Sequence, residues 1–207
     1  MVRSLSTRGE RPLTGQFAEL AQILADSAVT HSRILGQGPQ ARTRLVPILH
    51  ENSSRATEIS ARIATRLADS LITPYEAELL YDLALTMADC IDSLEHTGEL
   101  LVITRLSALS TPLLEAAEAL EHAAEYTMQA SWQLRRVHHL GGYYTRMRTV
   151  KHQGDRLCRQ ALGELYRAGG AATDMMLQRD VIYAVSTTFE LLERVARIAD
   201  MLRVKDS

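Results

Sequence analysis

Apolar residues recur at alternating spacings of three and four along nearly the whole chain, and few residues interrupt that rhythm. Phe17, Leu20, Ile23 and Leu24 form one such stripe, and Leu80, Leu83, Met87, Leu94 and Leu101 form another. Steps of three and four return to the same face of an α-helix, and no run shows the sustained alternation of a strand. The chain is therefore expected to be all-α. Alanine, leucine, arginine and glutamate abound, and all four favour helix.

The interruptions divide the chain into six long helices. The first is predicted over Thr14–Leu35 and ends at Gly36-Gln37-Gly38-Pro39. The second spans Ala41–Ser70, with Pro47 bending it or delaying its start. Thr73-Pro74 with Glu76 reads as a capping box and opens the third, which runs to about Leu109. Ser110-Thr111-Pro112 repeats the start signal for the fourth. Gly141-Gly142 separates the fourth from the fifth. Gly169-Gly170 separates the fifth from the sixth, which runs from about Thr173 to Arg203.

The six helices fall into two sets of three. A shift of 98 residues lays Leu67 on Leu165, Glu76 on Asp174, Met87 on Val185, Ile91 on Phe189 and Asp92 on Glu190. This predicts two tandem three-helix bundles: a flexible segment over residues 1–13, then 14–110 and 111–207, packed as one compact unit. A chain of 207 residues can bury such a core.

The charge pattern excludes several functions. The formal net charge is −2, so no global field draws the chain to nucleic acid or acidic lipid. No signal peptide is evident, and the most apolar stretch, Leu100–Leu106, is broken by Arg105 and too short for a bilayer. A cytoplasmic protein is expected. Cys90 and Cys158 both fall within helical patterns and read as reduced and packed rather than as a disulfide scaffold. No nucleophile elbow, phosphate-binding glycine loop, dinucleotide fingerprint or Cys-x-x-Cys appears, so no enzyme and no cofactor are predicted.

The segment "RIATRLADSLITPYEAELLYDLALTMADCIDSLE" resembles the PhoU-like regulators that accompany PiT-type phosphate transporters. Its Leu71-Ile72-Thr73-Pro74 element matches the one that ends a long helix in that family, and Ala88, Asp89 and Asp92 match the acidic helix that follows. "VKHQGDRLCRQALGELYRAG" and "RDVIYAVSTTFELLERVARIADML" resemble the family's fifth and sixth helices. The resemblance implies a non-enzymatic regulator of inorganic phosphate transport, docked on a PiT-type transporter at the inner membrane face. The competing reading is a metal- or anion-binding bundle that senses or buffers its ligand. A homo-oligomer is left open.

In related proteins, pairs of carboxylates one helical turn apart hold metal ions. Clustered oxygen ligands of that kind suit hard cations. Here the four pairs align with Ser53/Thr57, Ala88/Asp92, Lys151/Asp155 and Ser186/Glu190. The first acid is missing from every pair. Asp92, Asp155 and Glu190 survive as acidic-turn candidates, three carboxylates of eight, and Lys151 puts a cation where a ligand would sit. No metal cluster is therefore expected. Glu78, Asp82, Asp89, His96 and Glu99 follow a polar stripe opposite the Leu80/Leu83/Met87 seam and read as a solvated face.

No acidic residue lies between Glu125 and Asp155. Arg135, Arg136, Arg146, Arg148 and Lys151 fall in this interval, around Gly141-Gly142. Arginine forks near a helix N-terminus favour phosphate or carboxylate, so a phosphate-containing anion or an acidic partner loop is one expected ligand. The other expectation is internal pairing with Glu115, Glu118, Glu121 and Glu125 of the fourth helix.

Overall fold

The computed structural model describes residues 10–69, 76–107 and 109–205. Six long helices account for most of them: α1 (Glu10–Gly36), α2 (Pro39–Ala68), α3 (Ala77–Thr104), α4 (Thr111–Ser131), α5 (Tyr143–Ala168) and α6 (Ala172–Lys205). No strand occurs among the described residues. The proposed capping pair Thr73-Pro74 lies outside them.

Local sequence explains most boundaries. Pro39 sits at the start of α2 and Pro112 at the start of α4, where a missing N–H removes no helical bond. Ser110 precedes α4 in extended conformation, as a cap residue does, although its side chain makes no capping bond. Arg105 closes α3 in the left-handed region at φ 52°, the one such non-glycine residue described. Gly169 (φ 66°) and Gly170 (φ 137°) turn the chain from α5 into α6, a conformation that suits residues without Cβ. Pro47 neither delays nor ends α2; it lies within the helix.

The fourth helix is shorter than expected. It ends at Ser131, and two short 3₁₀ turns, Trp132–Arg135 and Val137–Leu140, carry the chain to Gly141. The buried residues here are Leu134, Val137, Leu140 and Tyr143, spaced by three. A 3₁₀ turn has three residues and keeps such a series on one face, whereas an α-helix would rotate it steadily away from the core.

Helices α1, α3, α6 and α4 form an inner ring. Contacts run from α1 to α3, α3 to α6, α6 to α4 and α4 back to α1. The outer helix α2 lies against α1 and α3, and α5 lies correspondingly against α4 and α6. The two sets of three thus share one continuous core, which includes Phe17, Leu20 and Leu24 of α1, Met87 and Ile91 of α3, and Phe189 of α6. Asp82–Arg194 and Glu76–Lys205 bridges show that α3 and α6 run antiparallel.

Arg42 and His31 stand out among the buried polar residues of this frame. Arg42, only 1% exposed, leaves the first turns of α2 and donates from Nε to the Ile34 carbonyl at 3.0 Å and from Nη2 to the Leu35 carbonyl at 3.4 Å. Its Nη1 donates to the Leu106 carbonyl, just past α3. One guanidinium thereby satisfies carbonyls at the C-terminal ends of two helices, where the helix dipoles favour a cation. His31 of α1 is fully buried, and neither ring nitrogen has a hydrogen-bond partner in the protein.

Two stability effects are expected. Arg42→Met leaves buried carbonyls without donors and should lower unfolding stability by about 3 kcal/mol or more, measured by denaturant titration. His31 follows from its charge. Burial depresses its pKa from 6.5 to about 3, so between those values the unfolded chain binds the additional proton. Stability should be undiminished above pH 6.5 and fall by about 1 kcal/mol per pH unit as the pH drops towards 3. His31→Leu should remove that part of the acid dependence and raise stability at neutral pH.

Candidate functional site

Asp92 on α3 accepts a hydrogen bond from Ser53 Oγ on α2 at 2.7 Å. One turn further along, Glu95 meets His50 Nδ1 of α2, also at 2.7 Å. Asp82 instead faces α6, where Arg194 approaches to 2.7 Å. Of the predicted polar stripe, Asp82 is bridged to α6, while Glu78, Asp89, His96 and Glu99 are exposed. Asp89 lies between these groups, and its carboxyl is held above the ordinary range, first by desolvation and then by Asp92.

On α5, Lys151 Nζ donates to Asp155 Oδ2 at 2.7 Å. Their side chains are 21% and 17% exposed. This bond, and to a smaller degree Glu193 and Glu190 of α6, raises the lysine pKa. Glu190 itself is exposed. The spacing of α5 and α6 here is set by Gly154, next to Asp155: a Cβ at that position would fall 2.5 Å from the Phe189 ring, which is itself 1% exposed.

These residues do not suit a metal cluster. The ammonium of Lys151 has no lone pair to offer an ion, and the neutral Ser53 hydroxyl, bonded to Asp92, brings no negative charge to balance one. Among the described residues, no group of three or more His, Cys, Asp or Glu is arranged to hold a metal ion.

The basic stretch is dispersed. Arg135 Nε donates to Thr14 Oγ1 of α1 at 3.4 Å. Arg148 lies 5.9 Å from the centroid of the Tyr144 ring, a cation–π contact. Lys151 is engaged by Asp155. Arg136 is exposed in the connector. Arg146 alone of the five lines a cleft of about 130 Å³, with His139, Gly142, Gln129, Gln133 and Tyr126. Residues 146 and 148 lie about 200° apart around α5, so their side chains leave in different directions.

None of these arginines pairs with Glu115, Glu118, Glu121 or Glu125 among the described residues. Glu118, Glu121 and Glu125 line a separate groove of about 410 Å³ between α1 and α4, with Asp26, His122 and Val29. Sequence reasoning missed both the cleft and the groove, because each depends on which helices become neighbours. The thiols of Cys90 and Cys158 are free and buried. Burial pushes Cys158 up to about 12 and Cys90 higher still, so neither is a ready nucleophile.

This architecture has counterparts in solved structures. The crystal structure of a PhoU-like protein from Shewanella oneidensis MR-1 superposes with a TM-score of 0.80 over 93% of this chain and 99% of the other, at 14% identity. The fold is PhoU-like. A second PhoU-like structure from that organism, titled a "putative PhoU-like phosphate regulatory protein", gives a TM-score of 0.79 at 15% identity, with the same coverage. A Rhizobium meliloti protein named "Putative pit accessory protein" is 24% identical over 166 residues, 77% of this chain and 76% of its own length. No family model matches the sequence. In this instance of the PhoU-like fold, Ser53 and Lys151 occupy two of the positions where the resemblance implied carboxylates.

Gly154→Ala tests the α5–α6 contact. The new methyl has no room beside a buried ring, so about 1–3 kcal/mol of stability should be lost by chemical denaturation, despite the better helix propensity of alanine.

Proposed function

We propose that this protein regulates inorganic phosphate transport and acts by docking on a PiT-type transporter, not by catalytic turnover. The observation that carries the proposal is the likeness to the "Putative pit accessory protein", which spans about three quarters of both chains. The full-length fold likeness to PhoU-like proteins agrees with it. The inert thiols and the lack of a catalytic motif favour a role through contacts. No described helix is long and apolar enough to cross a membrane, so the transporter would supply the membrane component.

In this reading the connector after α4 is the contact region. Arg146, His139 and the amides of Gln129 and Gln133 converge on a cleft at the start of α5, and Arg136 stands exposed nearby. An acidic loop of the transporter, or a phosphate-containing anion, suits these donors. Arg135, Arg148 and Lys151 contribute less, because each already has an internal contact. The two halves, 14–110 and 111–207, are taken as a pseudo-repeat working as one unit.

Co-purification of the transporter with the full chain, at high and at low phosphate, tests docking. The transporter should be retained, and Arg136→Ala/Arg146→Ala should weaken retention at least several-fold without changing the melting temperature. Raised salt should act in the same direction, since exposed charges are screened over about 8 Å at physiological ionic strength. Failure to retain the transporter at either phosphate level would overturn the docking proposal. Saturable binding of inorganic phosphate by calorimetry, lost in Arg146→Ala, would favour the anion-sensing alternative.

A further inference from the structure

Ser53 and Lys151 are equivalent positions of the two halves, 98 residues apart, and each leads a turn in which the resemblance implied paired acids. Each carries a hydrogen donor instead. Ser53 Oγ reaches from α2 to Asp92 on α3 at 2.7 Å. Lys151 Nζ binds Asp155 on its own helix at 2.7 Å, in a half-enclosed setting. The counterpart of Asp92 in the second half is Glu190, one of the two α6 acids whose charge acts on Lys151. In both halves, then, the residue leading the outer-helix turn compensates the acids beside it.

The charges support the same conclusion. The first set, Ser53, Thr57, Ala88 and Asp92, contains one carboxylate. The second, Lys151, Asp155, Ser186 and Glu190, contains two carboxylates and one fixed cation. Each set therefore carries a net charge of −1. A multivalent ion entering the second would meet an ammonium that cannot coordinate it and would repel it.

We propose that these built-in donors stand in for metal ions: Ser53 ties α2 to α3, and Lys151 offsets one carboxylate beside the α5–α6 seam, so the conformation of this chain is independent of divalent metals. Control of the protein through metal occupancy is thereby excluded. The inference does not depend on transporter docking.

Thermal unfolding of the full chain, in EDTA and in millimolar Mn²⁺, tests it. The melting temperature of the wild-type chain should be the same in both, and elemental analysis should find less than one equivalent of metal. Lys151→Gln should lower the melting temperature by roughly 1–4 °C. Lys151→Arg, which keeps the charge, should recover most of that loss. Lys151→Glu/Ser186→Glu restores two acids and should become cation-dependent, with a low melting temperature or no folding in EDTA and a clear rise in Mn²⁺. Mn²⁺-dependent melting of the wild-type chain would overturn the proposal. So would an unchanged melting temperature in Lys151→Gln, or indifference of the double variant to Mn²⁺.

Discussion

The first half of the molecule is organised around one guanidinium. Arg42 begins on α2, reaches the last carbonyls of α1, and bonds the chain just beyond α3. Two helices ending near each other direct unpaired carbonyls, and the negative ends of their dipoles, at the same buried volume. Without a donor there, the ends would have to fray or stand apart. Arginine suits the place because its planar fork holds several acceptors at once, which a lysine could not match. The register of α1, α2 and α3 is thus fixed at one end by Arg42, and along their length by side-chain packing such as Leu49 and Val46 against Gly98.

The second half solves the same problem differently. There the end of α4 rests on its own apolar residues. The helix tightens into 3₁₀ turns, and Leu134, Val137 and Leu140 seal it with apolar contact. Helical stripes, prolines and paired glycines were sufficient to place six helices in order, because those signals are local. Gly141-Gly142 was a misleading end mark for α4. The better signal was the three-residue apolar spacing that begins at Leu134 and continues through Tyr143, which differs from the three-and-four rhythm before it. Arg42 could not be singled out at all, since a buried capping arginine and a surface arginine look alike until the partner helices are in place.

The candidate site divides in the same way. The loss of the leading acids at positions 53, 88, 151 and 186 was visible in the sequence. The bonds that replaced them were not, because Ser53–Asp92 joins two helices and depends on their register. The basic stretch looked like one patch because its residues are close in sequence. Helical rotation and neighbouring groups separate them, leaving Arg146 in the cleft and Arg148 on Tyr144. Likewise pairing with the glutamates of α4 was one of two readings of those arginines, yet Glu118, Glu121 and Glu125 line a groove with α1.

Trp132 occupies the point where α4 gives way to the first 3₁₀ turn, and it is 61% exposed. It is the only tryptophan in the chain. The indole therefore serves as a natural spectroscopic label for the connector rather than for the core. Its emission in the native protein belongs to a water-facing chromophore, and it responds to whatever covers that corner. Loss of the central packing leaves its surroundings little altered, so fluorescence and circular dichroism follow different parts of this molecule.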